Sequence, residues 1–213
     1  MRADRRGLPL IAAGLLCVAA AAALTCYNMW DDARAAAVSR TAVDSLLPIV
    51  DKRVAEKLAA DPIEAAEDAI TEAYLINVGA YIDMPVEVID GEAYVGLLSI
   101  PALSLELPVL SEWSYDGLRA APCRYAGSAY MGDLVICAHN YTYHFGRLRE
   151  LSAGDEVLLV DMSGEIFRYE VAEILTLEPT AVSEMLRSEY DLTLYTCTLG
   201  GAARVTVRCR SFS

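Results

Sequence analysis

Between Leu8 and Leu24 the chain has 17 consecutive residues without a charge, and the uncharged run continues to Trp30. Apolar surface of that length needs either a lipid environment or removal. About 20 apolar residues at about 1.5 Å each cover the roughly 30 Å hydrocarbon core of a bilayer. Arg2, Arg5 and Arg6 stand before the run, while Asp31 and Asp32 follow it. Basic residues stay on the cytoplasmic side, which predicts an N-terminus inside and the bulk of the chain outside. Tyr27 and Trp30 suit the interfacial belt that closes such a span. The competing reading is a cleaved signal peptide, for which Ala19–Ala23 supplies small residues. Leu24-Thr25-Cys26 faintly suggests a lipoprotein site, but Thr is larger than such sites usually accept before the cysteine. All of these readings put the domain that follows outside the cytoplasm.

The 213 residues carry a net charge of −13, and 55% are hydrophobic. The apolar fraction excludes a disordered chain, and a single long apolar run excludes a polytopic membrane protein. An exposed part this acidic is repelled by nucleic acid and by anionic lipid. Six cysteines are too sparse for a disulfide scaffold, and their spacing offers no zinc pattern. The expected organisation is a cytoplasmic basic tip (1–7), a transmembrane signal anchor (8–27), a helical stalk or appendage (28–90) and a β-rich domain (91–213). From Asp31 to about Ile76 the Ala, Asp and Glu content favours helix, with Pro48 expected to interrupt it. Asp61-Pro62-Ile63-Glu64 reads as a fresh start, with Asp as N-cap, Pro at N1 and Glu reaching back. No heptad persists long enough for a coiled coil.

Character changes near Asp90-Gly91. Short runs rich in Val, Ile, Leu, Tyr and Thr follow at Tyr94–Ile100, Leu103–Val109, Leu134–Ala138, Glu156–Asp161, Ile166–Leu175, Leu192–Thr196 and Arg204–Arg210. Seven or eight short strands in this space predict a closed or nearly closed barrel, with brief helical inserts at Phe145–Leu151 and Ala181–Arg187. Gly200-Gly201 reads as a two-residue hairpin turn, since both positions accept positive φ. That turn pairs Leu199 with Ala202, Thr198 with Ala203 and Cys197 with Arg204. Opposed residues share a face, so the register alone sets a thiol beside a guanidinium.

A permanent cation favours a thiolate, or an oxyanion formed by attack on a carbonyl. A nucleophilic cysteine also needs an acid–base partner, and the chain has two histidines. His139 ends a strand, where the switch to loop can aim its ring into a cleft. His144, five residues on, reads more simply as a structural histidine. Cys137 and Cys209 belong to apolar strand faces, Cys17 to the anchor, and Cys123 is left ambiguous as a nucleophile or disulfide partner. Cys197 is the preferred nucleophile.

These residues carry a family resemblance. Thr193-Leu194-Tyr195-Thr196-Cys197, with Arg204 on the next strand, resembles the Thr-Leu-x-Thr-Cys…Arg signature of sortases. Leu134-Val-Ile-Cys-Ala-His-Asn-Tyr, followed by Phe145-Gly-Arg-Leu148, is similar to the family's histidine segment. Gly96–Val109 is similar to its opening strands. The resemblance spans about residues 93–210. It implies an eight-stranded sortase-type β-barrel behind a transmembrane helix and stalk, and a cysteine transpeptidase without cofactor or metal. Cys197 would be the nucleophile, His139 the acid–base group and Arg204 the oxyanion and substrate clamp, with Asn140 and Thr196 touching the substrate. Implied partners are proteins bearing a C-terminal LPXTG-like sorting signal and an amine of cell-wall precursor or pilin, at the surface of a Gram-positive-type bacterium. The 181–187 insert resembles that of class B-like members. Ala138 departs from the family's Gly before the histidine, and its methyl threatens to crowd the loop. The alternatives are a non-catalytic tethered barrel that presents a binding surface, and a hydrolytic cysteine peptidase.

Overall fold

The structure, a computed structural model, describes residues 7–60, 62–186, 189–198 and 200–212. It has two compact units, one ending at Arg34 and one beginning at Ala35. In the first, helix α1 (Gly7–Ala59) starts with an apolar stretch of mean hydropathy 2.2, long enough to cross a membrane and 0% buried. The Thr25 hydroxyl donates to the Ala21 carbonyl at 2.9 Å, so this polar side chain is satisfied within its own helix.

The second unit is a closed ring of strands with the later part of α1 packed on it. Strands β1 (Glu87–Ile89), β2 (Glu92–Ile100), β3 (Leu105–Leu110), β4 (Cys123–Ala126), β5 (Leu134–Cys137), β6 (Glu156–Asp161), β7 (Ile166–Leu177), β8 (Leu192–Cys197) and β9 (Arg204–Ser211) run in the order β1-β2-β3-β4-β5-β8-β9-β7-β6. A further antiparallel pairing of β2 with β6 closes β2 to β9 into an eight-stranded barrel, with β1 as an added edge strand on β2. The ring closes through each neighbouring strand, with β3 and β4 meeting at the single parallel pair Leu110–Cys123. Alternation along the strands fills the interior: Leu134 and Ile136 of β5, Leu192 and Leu194 of β8, and Val205, Val207 and Cys209 of β9 share one core with Tyr169 and Phe145.

The predicted strands are present within a residue or two at their ends. β1 and β4 were not anticipated. β4 is four residues long, pairs with β5 across a register shift and includes Arg124, so it shows too little alternation to read as a strand. The Phe145–Leu151 insert contains one 3₁₀ turn, Leu148–Glu150, and the second insert is a short helix α4 (Val182–Leu186). A short helix α3 (Tyr115–Leu118) precedes β4, with the Ser114 hydroxyl accepting from the Gly117 N–H. The fresh helical start is α2 (Pro62–Asn77); its expected N-cap, Asp61, lies outside the described residues, as do Leu199, Arg187 and the arginines of the N-terminal tip.

One expectation for the N-terminal helix is corrected. Pro48 lies inside α1 and does not interrupt it. Pro48 and Asp44, whose carbonyl loses its helical donor there, are both exposed, so water replaces the missing bond, while Leu46 and Val50 on either side of Pro48 stay buried. The helix expected as a stalk or N-terminal appendage packs on the barrel from Ala35 on. Ala35 is buried, and so are Ala36, Ser39, Val43, Leu46 and Val50, these five spaced three or four apart. Val43, Leu46 and Val50 pack with Tyr94, Leu97, Leu110, Ala121, Cys123 and Met162 on the outer face of the barrel. Arg53 continues the attachment, donating to the Met162 carbonyl and to Glu87 at 2.6 Å, and Lys57 pairs with Glu165. Gly164, at φ +83°, has no room for a Cβ, which would stand 2.6 Å from the Arg53 carbonyl carbon. A boundary near residue 90 therefore divides what is one packed body from Ala35 onward.

Candidate active site

β5 and β8 lie side by side in parallel, with Leu134 against Leu192 through Cys137 against Tyr195. Beyond the last pair, the Ala138 N–H donates to the Tyr195 carbonyl at 3.2 Å and the Thr196 hydroxyl donates to the Ala138 carbonyl at 2.8 Å. His139 thus leaves β5 at the level where β8 reaches Cys197, on strands whose usual spacing is about 4.8 Å.

On the other side of β8, β9 pairs antiparallel and sets Cys197 directly against Arg204. The predicted register is present, although the connection differs from the predicted one. Gly201 N–H donates to Thr198 O at 2.8 Å, so the turn spans 198–201 and not Gly200-Gly201 alone. The Ala203 N–H goes to the Thr198 hydroxyl at 3.0 Å, while the Thr198 N–H goes to Ala203 O at 2.9 Å. These bonds pair Thr198 with Ala203, which keeps Cys197 opposite Arg204. Gly200 and Gly201 both have positive φ, 82° and 73°, which the tight loop requires. Arg204 is half-buried, and its Nη1 donates to Gly201 O and Ala203 O at 3.3 Å each. These are long, weak bonds that a carbonyl or oxyanion at the thiol can displace.

Burial separates the thiols. Cys197 is half-buried, whereas Cys123, Cys137 and Cys209 are buried, and none is in a disulfide. Burial pushes the Cys123 thiol up to about 11 and the Cys137 and Cys209 thiols up to about 12. None of the three is poised to form a thiolate near neutral pH. Tyr195, two residues before Cys197 on the same face, stacks edge-on against Tyr125 at 5.7 Å, and burial drives its phenol well above the usual range. No sequence signal marked Tyr125, because its strand was not recognised.

The remaining expectations divide. Asn140 is half-buried in the histidine loop. Thr196, expected to touch the substrate, points into the barrel, is 3% exposed and bonds Ala138, so it ties the histidine segment to β8. The Ala138 methyl sits in the core cluster with Leu134, Ile136 and Phe145. His144 is fully buried, with Nε2 2.9 Å from Ser39 Oγ. Among the described residues, no group of three or more His, Cys, Asp or Glu side chains is placed to hold a metal ion.

The sortase-domain family profile matches residues 98–211, more than half of the chain. The chain belongs to the sortase family. Solved structures with the same fold include sortase C1 of group B Streptococcus pilus island 1, at TM-score 0.59 and 19% identity over 82% of this chain and 92% of that one. Sortase C of Streptococcus pneumoniae gives TM-score 0.60 and 21% identity, covering 80% and 97% of the two chains. Sortase A from Corynebacterium diphtheriae gives 0.54 and 17%, covering 81% and 96%. No match was found among curated proteins. The fold and family of the eight-stranded barrel are therefore those expected of a sortase, an enzyme of the cysteine transpeptidase kind.

Proposed function

We propose that this sortase is held in the membrane by α1 with its N-terminus in the cytoplasm, and that it works outside on proteins carrying an LPXTG-like sorting signal. His139 takes the thiol proton of Cys197, whose sulfur attacks the carbonyl carbon of the Thr–Gly bond. The C–N bond breaks, His139 gives that proton to the leaving amine, and a thioacyl-enzyme remains. His139 then takes a proton from an incoming amine of cell-wall precursor or pilin, which attacks the thioester, and passes it to the departing sulfur to restore the thiol. Arg204 stabilises the oxyanion in both tetrahedral intermediates. Such a donor is worth about 10²–10³ in rate. Asn140, beside His139, contacts the substrate backbone.

The observation that carries this reading is the strand register. Cys197 is opposed to Arg204 across β8 and β9, and His139 leaves the strand on the other side of β8 at the same level. The surrounding fold adds support, since the buried thiols are held neutral and Cys197 is the half-buried one. The test is mass spectrometry of the full-length protein with a library of sorting-signal peptides, with and without an added amine. The native chain should form a thioacyl adduct on Cys197 and an amine-dependent product. Cys197→Ala should form neither, and undiminished turnover in that variant overturns the assignment. Product formed equally well without an amine would make the enzyme a hydrolase.

A further inference from the structure

We propose that Ser39 on α1 is a positioning residue for the reaction, fixing the loop that carries His139 through the buried His144. The proposal rests on His139 being the acid–base group of the site described above. Ser39 is 3% exposed and His144 0%, so both polar groups must find partners inside the protein. Ser39 Oγ lies 2.8 Å from the Ala120 carbonyl and 2.9 Å from His144 Nε2. A hydroxyl has one proton and a carbonyl can only accept. Ser39 therefore donates to Ala120 and accepts from His144, which fixes the proton of the His144 ring on Nε2.

The loop from His139 to Gly146 is short and tightly wound. The Phe145 N–H donates to the His139 carbonyl at 3.2 Å, and the His144 and Gly146 N–H groups converge on the Tyr141 carbonyl at 3.0 and 2.9 Å. Gly146 has no space for a side chain, since a Cβ would stand 2.5 Å from the Asn140 carbonyl oxygen. Tyr141 lies between the two histidines, its ring 5.0 Å from that of His139 and 5.4 Å from that of His144. A displacement of His144 is thus passed to His139 through one ring. The next helix residue adds a second hold, with the Arg40 guanidinium over the Tyr143 ring at 5.2 Å. Two consecutive residues of α1 grip two consecutive residues of the histidine loop. An apolar contact would also bury this face, but a hydrogen bond with assigned donor and acceptor fixes ring orientation as well. Small misplacements of a reacting group cost up to about 100-fold in rate.

The test uses the full-length chain in detergent micelles with a sorting-signal peptide and an amine acceptor. Ser39→Ala and Ser39→Val should each lower kcat about ten-fold with KM within about two-fold, because transition-state alignment is lost and ground-state binding is kept. Ser39→Thr, the same shape as Val with the hydroxyl restored, should recover most of the rate. Nitrogen-15 spectra should show His144 protonated at Nε2 in the native chain, and a mixture of ring forms in Ser39→Ala. Native kcat in Ser39→Ala, or Thr no better than Val, overturns the proposal. So does a native His144 ring protonated at Nδ1, a result that needs no variant to fold. An inactive His139→Ala beside an unimpaired Ser39→Ala sinks the role of Ser39 alone. A fully active His139→Ala sinks the reading of the site itself.

Discussion

Four cysteines lie in the body that begins at Ala35, and their surroundings give them different chemistry. Cys123 and Cys137 oppose each other across β4 and β5, and Cys209 lies in the barrel core. A thiol held above its unfolded value of 9.0 stays neutral in the fold after the unfolded chain has begun to ionise. The stability this protects is intact below about pH 9 and is lost as pH rises towards 11 to 12. Urea melts at pH 8 and pH 10 should show the native chain losing stability at the higher pH, and Cys137→Ala losing less. At pH 8, iodoacetamide should label Cys197 well before the other three. The Cys197–Arg204 pairing was legible in the sequence because the glycine pair marks the turn and the turn fixes the register. The bonds beside the turn were not, since the Ala203 N–H goes to the Thr198 hydroxyl, a side-chain bond that no strand pattern reports. The inward aim of Thr196 follows from strand alternation and was readable; its bond to Ala138 comes from a strand 58 residues away in sequence, which no local pattern reports.

Among the elements, α1 differs most from its sequence reading. Its docking positions are filled by Ala35, Ala36, Ser39, Val43, Leu46 and Val50. Five of the six are alanine, serine or valine residues with little side chain to mark a docking face beside Leu46, so composition identified helix without revealing its partner. What decides the matter is the apolar outer face of β2, β3 and β4, which is fixed only when the barrel closes. Leu46 has no exposed surface at the centre of this contact. Leu46→Ala should cost about 2–5 kcal/mol, read as a lower urea midpoint with an unchanged slope. Arg208 plays a similar part for α4. It is 6% exposed, shares the face of Arg204, and donates to the Glu184 carbonyl at 3.0 Å while lying 5.5 Å from the centre of the Tyr190 ring. The sequence showed its strand face but not the helix that covers it.

For the whole molecule, the expected division near residue 90 and the observed unit starting at Ala35 make different fragments stable. A chain of residues 35–213 should fold, run as a soluble species and melt cooperatively. A chain of residues 91–213 uncovers Tyr94, Leu97, Leu110 and Met162, a contiguous apolar face that α1 otherwise covers. It should aggregate or lose its cooperative transition, as size-exclusion chromatography and circular dichroism would report. Equal behaviour of the two would mean that the helix adds nothing to the barrel. Full-length chain should partition into membranes through the exposed apolar part of α1, and residues 35–213 should not.

β9 comes after every other strand in the chain, yet it lies between β8 and β7 in the ring. Until its segment arrives, Cys197 has no guanidinium across from it and the circle of strands is open on both flanks of the gap. In the proposed site, the thiol of a chain under vectorial synthesis therefore meets its guanidinium only once the latest-made strand has slotted home.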